Sequence, residues 1–365
     1  MKTSLHQYFG RLPDPRIQRN KKHLLIDIIV LSIIAVICGA ESWDSIEMFG
    51  KSKKDFLSKI LKLPHGIPSH DTINRVFSLI RADKFEILFI QWDQSLKDPK
   101  ISKEVISVDG KTLRGSRDGY HEKSAIHTVN AWANSNGLVL GQVKTKEKST
   151  EITAIPELLS ILNIEGCIVT IDAMGTQKNI AEKIIEEKAD YILALKENQR
   201  YLKEDVESTF LRQKPDSVDE SVEKGHGRLE TRKCEVINTL DFLDQKEEWS
   251  GLNTLARITA HREIKGAKTT EVRLYISSVD AEAKEFNAYI RQHWAVENSL
   301  HWTLDMTFRE DAQRKRKGMA ANNFALIQKI TLNLLRKEES KNMSLKNKRL
   351  VAAWDDQFLL KILTI

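Results

Sequence analysis

From residue 101 onward the chain alternates between two periods, and this alternation constrains the fold more than any other feature. EVISVDG (residues 104–110) is a short apolar run ending in Asp-Gly and reads as a buried strand and turn. SAIHTVNAWAN and GLVLGQVKT read as two further strands divided by the turn signal SNG, so an antiparallel meander is expected. EITAIPELLSIL then reads as a helix and GCIVTIDA as a fully apolar strand. KNIAEKIIEEKA gives a helix, DYILALK a strand and NQRYLKEDVESTFL another helix. Apolar strands alternating with amphipathic helices require a central mixed sheet covered on both faces, an α/β fold.

The flanking segments read differently. Residues 1–95 are expected to form an all-helical N-terminal domain. Its parts are the apolar run at 24–40, the amphipathic SWDSIEMFGKSKKDFLSKIL, and a helix beginning near Asp71 behind a Ser69 cap. Short helices joined by Gly/Pro turns suit DNA binding in helix-turn-helix fashion, or a plain bundle docked on the rest. LKDPK (96–100) reads as the linker to a second domain spanning 96–365. Within that domain GRLETRKCEVIN, NTLARITAHREI and TTEVRLYISS indicate a β-rich insertion at about 215–282.

Residues 286–311 follow the insertion. Phe286, Ile290, His293, Glu297, Leu300 and Leu304 recur at steps of four and three, which predicts one helix with that stripe toward the core. Glu297 sits in the middle of the stripe, and a buried charge needs a partner or a metal. Asp109 and Asp172, each read as ending an apolar strand, would meet it at the crevice where open α/β sheets bind ligands. Three carboxylates there suit Mg²⁺ or Mn²⁺, and two such ions clamp the attacking and leaving oxygens of a phosphoryl displacement. The competing reading makes Asp-Gly a turn, Asp172 a helix cap and Glu297 an ion-pair partner. Asp305 is the alternative third acid.

A net charge of +6 fits an anionic partner such as nucleic acid, although it also fits an ordinary basic protein. Cys38, Cys167 and Cys234 are scattered, which argues against a disulfide framework or zinc site and for a reducing cytoplasm. The run at 24–40 carries Asp27 and, at 17 residues, is short for a membrane span, so a buried helix is expected.

The blocks DGKTLRGS, TIDAMGTQK and HWAVENSLHWTLDMTFRED resemble the DDE-type insertion-sequence transposases, in particular the H-repeat-associated group found with Rhs elements. The resemblance also takes in FGRLPDPR, VICGAESW, LGQVKTKEKSTEITAIPELL and GHGRLE, and so covers nearly the whole chain. It implies an RNase H-like catalytic core interrupted by a β-insertion. It places the two catalytic aspartates on Asp109 and Asp172 and the glutamate on Glu297, holding two Mg²⁺ or Mn²⁺ ions. The implied reaction is attack of water on a phosphodiester at the element's end, followed by attack of the freed 3′-hydroxyl on target DNA. The implied partners are double-stranded DNA (terminal repeats and target) and further copies of the chain, in the bacterial cytoplasm at the nucleoid.

One departure concerns the Tyr–Arg–Glu–Lys signature that many relatives carry around the last acid. Counting from Glu297, its other slots fall on Ile290, His293 and Leu304, with Tyr289 and Arg291 out of register. His293 and His301 could instead touch phosphate or orient the carboxylate, or be core histidines. Candidates for DNA contact are Lys111, Arg114, Lys178, Lys196, Arg291 and the run Arg314, Lys315, Arg316 and Lys317; each could equally be a solvated charge. Trp294 and Trp302 read as helix packing, with base stacking as the alternative. Two rival functions remain open: a domesticated endonuclease that cuts without joining, and a DNA-binding protein without catalysis.

Overall fold

The computed structural model describes residues 3–17, 21–98, 100–101, 103–121, 123–145, 151–225, 228–264 and 267–365. Residues 146–150 of the LGQVKTKEKSTEITAIPELL block and 226–227 of GHGRLE lie outside them.

Among the described residues six helices come first: α1 (Ser4–Phe9), α2 (Leu25–Ile37), α3 (Trp43–Ser52), α4 (Lys54–Leu57), α5 (His70–Leu79) and α6 (Ala82–Gln94). Ser69 caps α5 through the Thr72 N–H. Nearly every residue of α2 is buried, and among the described residues no helix is long and apolar enough to cross a membrane. Asp27 in α2 is 3% exposed and accepts the Leu63 N–H at 2.9 Å, holding the left-handed Leu63 against the helix. A buried carboxylate is tolerated there because backbone donors replace its water.

Among the described residues the sheet has nine strands: β1 (Val105–Leu113), β2 (Ile126–Ala133), β3 (Leu138–Lys144), β4 (Ile168–Ile171), β5 (Asp190–Leu195), β6 (Ser217–Gly225), β7 (Arg228–Ile237), β8 (Thr254–Ile264) and β9 (Ala267–Ser277). Their order is β3-β2-β1-β4-β5-β9-β8-β7-β6. β1, β4 and β5 are parallel, and β2, β3 and β9 run antiparallel to their neighbours. The strands of the expected β-insertion therefore extend the central sheet through the β5–β9 pair. β6 is not foreshadowed in the sequence, because SVDESVEKG is an exposed edge strand with few apolar residues to show a period.

Helices α7 (Glu151–Ile161), α8 (Lys178–Glu186) and α9 (Arg200–Arg212) occupy the connections. α10 (Ala283–Ala295), α11 (Trp302–Thr307), α12 (Ala320–Lys337), α13 (Leu345–Trp354) and α14 (Asp356–Leu363) close the chain. Two apolar clusters cover the two sheet faces. Phe286 and Ile290 of α10 pack with Val105, Ile168, Ile192 and Tyr275 on one face. Ile106, Val108 and Ile171 pack on the other with α7, α12 and the N-terminal helices. The helices of residues 4–94 thus share one continuous core with the sheet and with α12.

Within that core α12 carries Lys329, fully buried, with Glu310 at 3.8 Å and the Gln142 side chain as its partners. Asn333 likewise ties α6 to β3, donating to Asp93 at 2.8 Å and accepting the Val139 N–H. Unpaired, such groups would cost several kcal/mol each, so these contacts fix the register of α12 against its neighbours.

Candidate metal centre

Asp109 lies within β1, not at a turn: the strand runs on through Gly110 to Leu113, with Asp109 paired to Asn130. Relative to β4, however, it is a strand-end residue, because the parallel pairing stops at Val108–Ile171. Asp172 is the next residue after β4, so the two aspartates stand side by side past the last pair. Ser107 reaches the Gln292 carbonyl and Thr170 the His293 Nδ1, which fixes this side of β1 and β4 toward α10. Side chains alternate along a strand, so Asp109 projects toward α10 as well.

The segment after α10 is not one continuous α-helix. Val296–His301 is a π-helical turn between α10 and α11. The wider turn shifts the phase of the stripe. Phe286, Ile290, Leu300 and Leu304 remain buried, whereas Glu297 is turned outward with 59% of its side chain exposed and His301 is turned inward at 8%. The expectation of a core-buried Glu297 is corrected on this point. Such π turns are rare and concentrate at functional sites.

The same turn brings Glu297 and His301 to Asp109. His301 Nδ1 lies 3.4 Å from an Asp109 oxygen and 3.6 Å from a Glu297 oxygen, and one ligand atom from each residue falls within 4.8 Å of the others. Asp172 is outside this tight group. Its Oδ1 accepts the Met174 and Gly175 N–H groups at 3.1 and 3.4 Å, capping a short 3₁₀ turn. Gly175 is required in that turn because a Cβ would stand 2.3 Å from the Ile171 side chain.

Burial, and then the Glu297 charge, push the Asp109 carboxyl up to about 7. Burial, and then the Glu151 charge, raise Asp172 against the two backbone donors and the nearby Lys196. Burial, followed by the Lys111 and Lys329 charges, pulls His301 down to about 3, so its imidazole is neutral and able to ligate near neutral pH. Two buried polar atoms beside the group lack a hydrogen-bond partner: Asn130 Oδ1, on the strand position opposite Asp109, and His301 Nε2. Two carboxylates and a neutral imidazole at these separations fit one divalent cation of the Mn²⁺ or Mg²⁺ class, with the imidazole favouring the softer of the two.

The remaining candidates are dispersed. Lys111 is 8% exposed and pairs with Asp305 at 2.7 Å, so it braces β1 against α11 and has little surface to offer a phosphate. Asp305, the alternative third acid, is thereby engaged. Lys315 is buried over the Phe324 ring at 3.6 Å and donates to the Glu41 carbonyl; burial brings it down to about 7. Lys178 pairs with Glu248, Arg291 with Glu223, and the exposed Arg114 with Asp311 at 3.4 Å. Lys196, Arg314, Arg316 and Lys317 are exposed. His293 bonds Thr170 and is pulled down to about 4 by burial. Ile290 and Leu304 are buried apolar residues, so those two signature slots present no polar group. Trp294 and Trp302 do not pack inward as expected, being 42% and 60% exposed, with the Arg273 guanidinium 4.3 Å over the Trp294 ring.

Glu151 and its partner His127 were not singled out by the sequence. An acid opening a helix reads as an ordinary favourable dipole contact. The available signal was Gly110, since a glycine inside a strand marks close approach of another group.

A family model described as "Transposase DDE domain" matches residues 100–334, and the model of its associated region matches residues 6–93. "Putative transposase YncI" of Escherichia coli O157:H7 is 46% identical over 99% of this chain and 94% of its own length. "H repeat-associated putative transposase YhhI" of Escherichia coli K12 is 42% identical over 98% and 97%. A shorter relative, "Inactive transposase YbfQ" of the same strain, is 46% identical over 20% of this chain and 88% of its own. Among solved structures, a piggyBac transposase synaptic complex with hairpin DNA aligns with a TM-score of 0.47 at 13% identity, covering 98% of this chain and 76% of that one. The chain belongs to the DDE transposase family.

Proposed function

We propose that the protein cleaves DNA at the ends of its own insertion element and joins the freed 3′ ends to target DNA, using divalent cations held by Asp109, Asp172 and Glu297. The observation that carries this reading is the meeting of Asp109, Glu297 and His301 within 4.8 Å, beside Asp172, in a chain of this family. The order β3-β2-β1-β4-β5, with acids past the end of the β1–β4 pair, supports an RNase H-like core.

Divalent ions held by these residues would supply Lewis acidity, activate an attacking water and offset charge developing on the phosphoryl oxygens. The chain's own residues supply the rest. Asp109 and Glu297 would provide anionic oxygens, and neutral His301 would offer Nδ1 between them. The backbone donors on Asp172 hold its carboxylate in one orientation. No side-chain nucleophile is required, because water and then a DNA 3′-hydroxyl attack phosphorus. Lys196, Arg314, Arg316 and Lys317 present exposed positive charge to the phosphate backbone. The exposed Trp294 and Trp302 rings offer stacking surfaces for an unpaired base. The N-terminal helices are the element for recognising the terminal repeats. Pairing two DNA ends calls for at least two copies of the chain, acting at the nucleoid.

The test is cleavage and strand transfer on DNA bearing the element's ends, with Mg²⁺ or Mn²⁺, for wild type and Glu297→Gln. Metal-dependent nicking and joining, both lost in the variant with DNA binding retained, is the expected result. Undiminished cleavage by Glu297→Gln would remove Glu297 from the centre. Cutting without joining would indicate a nuclease, and binding without cutting an inactive DNA-binding protein.

A further inference from the structure

The acids around Asp109 fall into two groups on opposite sides of it. Glu297 and His301 arrive from the π turn on the α10 face. Glu151, at the start of α7, arrives from the other face. Ile155, one turn further along α7, is buried with Ile106, Val108 and Ile171, which places α7 behind the sheet. Glu151 nevertheless reaches the catalytic edge, because it passes over Gly110, the residue after Asp109. A Cβ on Gly110 would stand 1.9 Å from Glu151 Oε1 and 2.7 Å from His127 Nε2. The parallel pairing of β1 with β4 ends one residue earlier, so no strand separates the two faces at this level.

The approach is built, not incidental. His127 Nε2 is 2.7 Å from Glu151 Oε1, and His127 Nδ1 is 2.8 Å from Thr112 Oγ1. Thr112 and His127 are themselves register partners on β1 and β2. A chain of three side chains therefore ties the Glu151 carboxylate to the strand that carries Asp109. Glu151 is 16% exposed, so its charge is little screened, and it acts on both Asp109 and Asp172. Asn130, opposite Asp109 and fully buried, keeps Oδ1 without a partner at the same level of the sheet.

We infer that Glu151 is a fourth carboxylate of the metal centre, which then has two halves sharing Asp109. One half is Asp109, Glu297 and His301. The other is Asp109, Asp172 and Glu151, with His127 as the positioning residue that orients the Glu151 carboxylate. This rests on the proposed metal-dependent reading and adds to it the residues that hold the second ion.

The test is Mn²⁺ binding to the full chain, followed by the electron paramagnetic resonance signal of the free ion, with thermal melts as a folding control. Wild type is expected to bind two ions. Glu151→Gln is expected to lose one or to bind it at least tenfold more weakly, while keeping the ion that Glu297→Gln weakens. His127→Gln, which leaves all carboxylates in place, should weaken the same ion as Glu151→Gln by a smaller factor and carries the test if Glu151→Gln does not fold. Wild-type number and affinity of bound ions in a folded Glu151→Gln, or in His127→Gln alone if it must stand in, would overturn the inference and leave the proposed function intact. A wild type that binds one ion, unaffected by either change, overturns it as well. Absence of Mn²⁺ binding by wild type would instead overturn the metal-dependent reading itself.

Discussion

Replacing Asp109 by asparagine should stabilise the metal-free protein while abolishing its chemistry. The Asp109 carboxyl stands at about 7 in the folded chain against 3.8 as a free side chain, because burial and the Glu297 charge oppose its ionised form. Between those values the folded state holds a proton that the unfolded state has released. Stability therefore falls as pH rises from about 4 to about 7 and is level in this respect above 7. A shift of about three units at about 1.4 kcal/mol each sets an upper bound of about 4 kcal/mol at pH 8. The residual exposure of the side chain, 20%, brings the expected gain to about 2–3 kcal/mol after solvent screening. Asparagine keeps the oxygen that accepts the Gly110 N–H at 2.9 Å and adds no charge, so it isolates the electrostatic cost. Urea unfolding of wild type and Asp109→Asn, in EDTA at pH 5 and pH 8, measures the difference. Asp109→Asn should be the more stable at pH 8, with the gap shrinking at pH 5. Adding Mn²⁺ at a hundred times its dissociation constant should return about 2.7 kcal/mol to wild type and far less to the variant. A variant no more stable than wild type at pH 8, with equal response to Mn²⁺, would refute the account of a strained, cation-seeking acid.

Three further outcomes rest on side chains elsewhere in the fold. Lys329→Met leaves Glu310 buried with Lys111 as its nearest remaining cation at 3.9 Å and should cost about 3–5 kcal/mol, read by urea denaturation. Asp27→Ala leaves the Leu63 N–H without its acceptor and should cost about 1–3 kcal/mol in the same assay, with DNA cleavage by the surviving folded fraction unchanged. Changing Arg314, Arg316 and Lys317 together to alanine should weaken DNA binding and lower the slope of log affinity against log salt by about 0.9 for each phosphate no longer neutralised, as followed by fluorescence anisotropy. Lys315→Ala, by contrast, should act on stability, since that ammonium is buried over Phe324.

What the sequence determined by itself is the set of elements and the residue types at the centre. The strands around Asp109 and Asp172 are apolar runs that only a covered sheet can bury, so β1, β4 and β5 were legible, as were the helices between them. The apolar stripe through Phe286, Ile290, Leu300 and Leu304 was legible for the same reason. What tertiary structure decided is where the polar groups stand. The π turn at Val296–His301 depends on how α10 and α11 pack against the sheet, and it rotates Glu297 outward and His301 inward, against the regular helical period. Gly110 reads locally as a turn, yet it serves the passage of Glu151 and His127, two residues brought there by α7 and β2 from positions 41 and 17 residues along the chain. Lys111 and Lys315 read as free surface cations and are buried by partners far away in sequence, Asp305 and Glu41. Periodicity is a local property that burial imposes on a segment, so it survives in the sequence. The meeting of charges is set by which segments pack together, and that is settled only in the folded chain.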